Sequence, residues 1–244
     1  MSKIASLVFA LIAYVVFFAT FLYLIAFVGD LPFAGITVDR GPEGSAAAAV
    51  VIDLALMALF GFQHSVMARQ GFKQAWTRIV PKQAERSVYV LTASALLIVL
   101  FLFWRPIGGD VWNVSGVAAT VLWIVFAAGW LIVLLSTFLI NHFELFGLQQ
   151  AWFHTRGREA AAPQFRQPLF YKLVRHPLYA GFFLAFWATP QMSIGHLLFA
   201  VAMSAYMLVG IHYEEGDMVS LFGRNYEDYK TRVGMLTPRF RRNP

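Results

Sequence analysis

The feature that most restricts this chain is a series of apolar runs, each close to the roughly 20 residues a helix needs to cross a hydrocarbon core. Such runs occupy positions 4–28, 46–68 and 117–140, and a shorter one occupies 88–104, with Trp104 placed as an interfacial anchor. In lipid every backbone polar group must be satisfied within the structure itself, so runs of this kind fold as helices. A further apolar stretch, 178–213, is interrupted by Thr189, Pro190 and Gln191. Proline cannot continue a helix and pushes the residue before it to extended backbone. The stretch therefore reads as a hairpin with a short arm, 178–188, and a full arm, 194–213. The expected fold is all-α: a polytopic transmembrane helical bundle of five to six spans with a C-terminal helical hairpin and a cytoplasmic tail, forming one domain over 1–244.

Composition excludes the soluble classes. Of 244 residues, 59% are hydrophobic and 13% charged, against about 25% charged in a soluble domain. A net charge of +6 would suit nucleic acid, but the basic residues lie in short blocks beside the apolar runs, so no nucleic-acid partner is expected. One block is Arg69, Lys73, Arg78, Lys82 and Arg86; a second is Arg156, Arg158, Arg166, Lys172 and Arg175. The tail carries Arg224, Lys230, Arg232, Arg239, Arg241 and Arg242, whereas 29–45 and 105–116 each hold one arginine and at least one acid. By the positive-inside rule the N-terminus, both basic loops and the tail are cytoplasmic. The first run exceeds the roughly 7–15 residues of a signal-peptide core and reads as a retained span. Cysteine is absent, so any thiol chemistry must belong to a substrate. Zinc-binding spacings such as HExxH are also absent, and no metal is expected.

Ionisable residues inside spans are functional candidates. In the second run Asp53 and His64 share a helix face with Met57 and Phe60, at an axial separation of about 16 Å. Asp53 is expected near the outer interface and His64 near the inner one, each partly solvated; His64, beside Gln63 and Ser65, is the better placed for a cytoplasmic-side pocket. The fourth run ends Ile140-Asn141-His142-Phe143-Glu144-Leu145-Phe146-Gly147. There Asn141 and Glu144 are i,i+3 neighbours, and Gly147 is suited to a helix C-cap. His154, Arg156 and Arg158 read as a solvated loop facing lipid headgroups.

The strongest signal begins at Arg175-His176-Pro177-Leu178-Tyr179-Ala180-Gly181. Pro177 can open a helix, leaving Arg175 and His176 at an N-terminus suited to a carboxylate or phosphate. Gly181 permits close approach of a ligand or backbone. The full arm ends His212-Tyr213-Glu214-Glu215-Gly216-Asp217. Acids at a helix C-terminus oppose its dipole, which points to a bound cation, and the hairpin returns them beside Arg175 and His176. A cationic corner facing an anionic one suits an amino-acid-bearing nucleotide such as S-adenosylmethionine.

The stretch Arg175-His176-Pro177-x-Tyr179-x-Gly181, then Glu214-Glu215 and Phe222-Gly223-x-x-Tyr226-x-x-Tyr229, resembles the isoprenylcysteine carboxyl methyltransferase superfamily over about residues 170–235. Residues 62–69, Phe-Gln-His-Ser-Val-Met-Ala-Arg, and 141–148, Asn-His-Phe-Glu-Leu-Phe-Gly-Leu, extend the resemblance to bacterial methanethiol S-methyltransferases and related denitrification-associated membrane proteins. The resemblance implies methylation of a small thiol, methanethiol, by S-adenosylmethionine to give dimethyl sulfide. Arg175 and His176 would then hold the cofactor carboxylate, and Glu214 and Glu215 its ammonium or ribose, with Tyr179 and Tyr213 near the adenine or sulfonium. His142 with Glu144, or His64, would accept the thiol proton. A prenylcysteine or lipid-like acceptor, and a non-enzymatic denitrification-associated role, are the competing readings.

Overall fold

The computed structural model describes residues 1–158 and 164–239; Arg241 and Arg242 of the basic tail lie outside the described residues. In chain order the elements are α1 (Lys3–Val28), α2 (Ala46–Ala68), α3 (Gln70–Trp76), α4 (Lys82–Phe103), β1 (Asp110–Asn113) and α5 (Gly116–Ile140). There follow α6 (His142–Leu145), α7 (Leu148–Arg156), a 3-10 turn (Leu169–Lys172), α8 (Pro177–Trp187), β2 (Gln191–Ser193), α9 (Ile194–Phe222) and α10 (Arg224–Arg232). Among the described residues five helices, α1, α2, α4, α5 and α9, are long and apolar enough to cross a membrane. The chain is a polytopic membrane helical bundle. It divides into two units.

The first unit comprises Met1–Asn113, Asn141–Ala161 and Gln191–Ala202. The Ser2 and Ser45 hydroxyls cap α1 and α2 by accepting from the Ala5 and Ala48 N–H groups, satisfying donors that a helix start leaves open. Helix α1 packs on α4 and α7, and α2 on α4. Buried positions of α1 include Ser6, Ala10, Ala13 and Thr20, while Ile4, Leu11, Ile12, Val15 and Leu22 are exposed. Small residues inside and large apolar ones outside are the pattern expected where lipid is the solvent. β1 and β2 pair antiparallel. Ile194 and Gly195 N–H groups donate to the Gly109 and Ile107 carbonyls, tying the start of α9 to the segment that follows α4.

The second unit comprises Val114–Ile140, Ala162–Pro190 and Met203–Pro244. Its main contact is α5 on α8. A Cβ at Gly129 would stand 2.7 Å from the Gly181 oxygen and the Ala185 nitrogen, and one at Gly181 would stand 2.7 Å from the Gly129 oxygen. The two backbones can meet only because neither position carries a side chain. The Trp187 indole N–H donates to the Ser204 hydroxyl at 3.0 Å, joining the two arms of the expected hairpin. At 11 residues, α8 rises about 16 Å, so the short arm falls well below the length of a full span.

Several boundaries differ from the sequence reading. Helix α4 begins at Lys82 rather than 88, because Pro81 sets its N-terminus and charged residues there extend a helix beyond its apolar part. Helix α9 continues to Phe222, past 213. Trp104 is not an interfacial anchor: it is fully buried between Phe27 and Phe199, and its indole N–H donates to the Val38 carbonyl at 3.0 Å. Asp53 is likewise buried rather than partly solvated, and accepts from the Arg105 N–H at 2.9 Å. His154 lies in helix α7, not a loop.

A Gly181→Ala variant is expected to lose about 1–3 kcal/mol through overpacking, seen as a lower unfolding temperature in detergent. Gly35→Ala, where nothing lies within 4 Å of the added carbon, should leave that temperature unchanged.

Candidate functional site

In the second unit, His176 is the N-cap of α8 and Pro177 its first residue. The backbone just before it lies beside the segment that follows α10. Arg175 N–H donates to the Gly234 carbonyl at 2.8 Å and His176 N–H to the Met235 carbonyl at 3.1 Å. This registers the Arg175 guanidinium on the end of α10, where Nη1 donates to the carbonyls of Val233 (2.5 Å) and Lys230 (3.2 Å). A cation there also complements the negative end of the helix dipole.

The same guanidinium donates through Nε to Glu215 Oε1 at 2.8 Å, and His176 Nε2 lies 3.1 Å from that oxygen. An ionised carboxylate only accepts, so His176 Nε2 carries a proton in this contact. Lys230 Nζ stands 3.6 Å from Glu215 Oε2, and Glu214 Oε2 stands 4.0 Å from His176 Nδ1. The Arg175 and Glu215 side chains are 9% and 14% exposed, that of Glu214 45%. The two corners expected from sequence thus meet as one bonded group. The acids also owe their position to different causes than the helix end: α9 runs on to Phe222, so they lie inside the helix, opposite three basic side chains.

Aromatic rings border this group. Tyr179 meets His176 edge-on, with ring centroids 5.7 Å apart, and Tyr213 is half exposed. Tyr226, Tyr229 and Phe165 pack together, and the Tyr229 hydroxyl donates to the Tyr171 carbonyl. Burial pushes the Tyr171 and Tyr226 phenols well above their ordinary range, and Tyr229 up to about 12, with Arg175 opposing the last shift. Of the two approaches expected at Gly181, the structure shows that of a backbone, the one of α5.

In the first unit, His142 begins the one-turn helix α6 and is buried, and its Nε2 lies 2.8 Å from the Tyr14 hydroxyl. Burial holds its imidazole below the usual range, so it is neutral at pH 7. The Glu144 carboxylate accepts from the Asn141 side-chain amide at 2.9 Å, which makes Glu144 part of the capping of α6. His64 Nε2 lies 2.8 Å from the Tyr89 hydroxyl, and the Arg86 guanidinium lies 4.9 Å from the Tyr89 ring centre. Elsewhere in this unit an open cavity of about 670 Å³ is lined by Asp30, Asp39, Glu43 and Asp110 among others, and contains none of the expected site residues. Among the described residues no His, Cys, Asp or Glu group could hold a metal ion.

Comparison with known proteins shows a relative named methanethiol S-methyltransferase 1 from Bradyrhizobium diazoefficiens, 52% identical over 97% of this chain and 83% of that protein. The chain belongs to the methanethiol S-methyltransferase family. A second member from the same organism is 48% identical over 98% of this chain and 92% of its own length. Another, from Pseudomonas deceptionensis, is 49% identical over 85% of this chain and 80% of its own. No family model and no solved structure matches the chain.

The structure adds neighbours that the sequence reading did not predict: Lys230 and the carbonyls of Lys230, Val233, Gly234 and Met235 beside the Arg175 group, Tyr14 beside His142 and Tyr89 beside His64. The tail contacts left no signal beyond charge. Tyr14 is one of four hydroxyl side chains in the first apolar run, with Ser6, Thr20 and Tyr23, and nothing in its spacing sets it apart.

Arg175→Met leaves Glu215 with fewer cations and two carbonyls without their donor, and should destabilise the protein by about 3 kcal/mol, read from thermal unfolding in detergent. The tyrosines set an alkaline limit. A phenol whose folded pKa is raised contributes stability that is complete below its ordinary value near 10 and lost as pH climbs toward the folded value. For Tyr229 that window runs from 10 to about 12, and Tyr229→Phe should make the loss shallower across it.

Proposed function

We propose that this chain transfers a methyl group from S-adenosylmethionine to the sulfur of methanethiol, giving dimethyl sulfide. The observation that supports it is the joining of Arg175, His176, Glu214 and Glu215 at the start of α8, in a chain whose relatives are named for that reaction. Guanidinium, imidazole, carboxylates and tyrosine rings form the donor set that an amino-acid head and a sulfonium call for. Bound there, the donor supplies an electrophilic methyl carbon attached to a positively charged sulfur.

The chain's own part is to hold, orient and deprotonate. Arg175 and His176 offer N–H donors to a carboxylate. Glu214, the more exposed acid, accepts from an ammonium or ribose hydroxyl, while Glu215 fixes the direction of both basic side chains. Tyr179 and Tyr213 present ring faces tolerant of positive charge. His142 accepts the thiol proton, as a neutral buried imidazole can near neutral pH, and His64 is the second candidate. Loop charge supports a cytoplasmic location for the termini and the Arg175 group, in a bacterial inner membrane.

Purified protein given methanethiol and S-adenosylmethionine should release dimethyl sulfide into the headspace, whereas a prenylcysteine acceptor run in parallel should stay unmethylated. The opposite pattern would move the reading to a lipid-like acceptor. Glu215→Gln keeps the shape and removes the charge. It should raise the calorimetric dissociation constant of the donor severalfold, and unchanged binding would sink the assignment of this group.

A further inference from the structure

Helix α10 turns one face to the charged group of its own unit. Lys230 Nζ stands 3.6 Å from Glu215 Oε2, and the Lys230 and Val233 carbonyls accept from the Arg175 guanidinium. Tyr226 lies four residues before Lys230, and i,i+4 neighbours share a helix face. Its ring is buried, 4% exposed, with centroids 5.9 Å from Phe165 and 5.7 Å from Tyr229. Packing of that kind asks only for a phenylalanine. The hydroxyl is what needs a reason, because a buried tyrosine ordinarily finds a hydrogen-bond partner. Tyr229 finds one in the Tyr171 carbonyl. The Tyr226 hydroxyl has none among the described residues, although the charges of Glu215, Glu214 and Arg175 all act on it.

We propose that Tyr226 is a binding residue for the methyl donor, its O–H donating to a ribose hydroxyl that in turn donates to Glu214. The proposal rests on the methyltransferase reading above and resolves its choice between ammonium and ribose in favour of ribose.

The chemistry of the pair selects the ligand group. Burial and the two acids keep the Tyr226 phenol protonated far above neutral pH, so it brings a proton that needs an acceptor. An ammonium only donates and leaves that proton unused. A ligand carboxylate would accept it, but beside two groups of its own charge. A neutral hydroxyl does both, accepting from the phenol and donating to a carboxylate. Glu215 is already engaged by Arg175, His176 and Lys230, which leaves Glu214, the more exposed acid, as the acceptor. A ribose offers two adjacent hydroxyls to such a donor and acceptor.

The test is Tyr226→Phe in the full-length protein, titrated calorimetrically with S-adenosylmethionine and with its 2′-deoxy and 3′-deoxy ribose forms. The variant should bind S-adenosylmethionine about tenfold more weakly, with the donor KM raised to match and kcat and the unfolding temperature near wild type. Toward one of the two deoxy forms, the variant and the wild type should bind alike, since the hydroxyl that Tyr226 meets is already gone. Unchanged binding of S-adenosylmethionine, or an equal loss for all three donors, would overturn the proposal. Should Tyr226→Phe fail to fold, the wild type decides: equal affinity for the three donors refutes the ribose contact, and a deoxy form bound about tenfold more weakly supports it. Wild-type protein that binds no S-adenosylmethionine removes the methyltransferase reading and this inference together. A binding wild type with an indifferent Tyr226→Phe removes only the inference.

Discussion

Lipid does not push helices together, since tails are as apolar as the leucines they would leave. Association has to come from close van der Waals approach and from polar contacts, and both are visible in α5 and α8. The Gly129 and Gly181 backbones meet where a Cβ on either would sit 2.7 Å from the other's oxygen. Because α8 begins at Pro177, fixing its axis against α5 also fixes where Arg175 and His176 begin. The charged group is therefore anchored by a pair of glycines in α5 and α8, and its placement depends on a contact that carries no charge.

The charged group itself is built against the grain of the membrane. Removing charges from water is unfavourable unless each is paired and its remaining hydrogen-bonding capacity filled. Arg175 approaches that condition by committing Nε to a carboxylate and Nη1 to two carbonyls at the end of α10. These bonds hold the side chain in one arrangement, while Glu214 and Tyr213 are the more exposed neighbours.

Much of this was legible in the sequence because lipid enforces long-run patterns. Span length located α1, α2 and α5 to within a residue or so, and Pro177 and Pro190 marked the limits of the short arm. The meeting of Arg175 with Glu215 followed from folding a hairpin. Other features depended on partners distant in sequence. Trp104 looks like any interfacial tryptophan until Val38 supplies its acceptor, and Asp53 looks solvated until Arg105 supplies a donor. Helix ends at Lys82 and Phe222 escaped because hydropathy reports where lipid stops, whereas a helix continues until its caps allow it to end. The two histidine–tyrosine pairs join residues 128 and 25 positions apart, and no periodicity announces them.

The backbone of residues 174–176 is held by that of 234–235, and this has a bearing on biosynthesis. A chain emerging from a ribosome completes α5 and α8 long before Gly234 and Met235 exist. During that interval Arg175 and His176 lack the carbonyls that seat them, and Glu215, once made, still awaits Lys230. Insertion into the membrane can thus run ahead of assembly of the charged group. The nascent protein passes through a stage in which its helices are placed and its charged group is not.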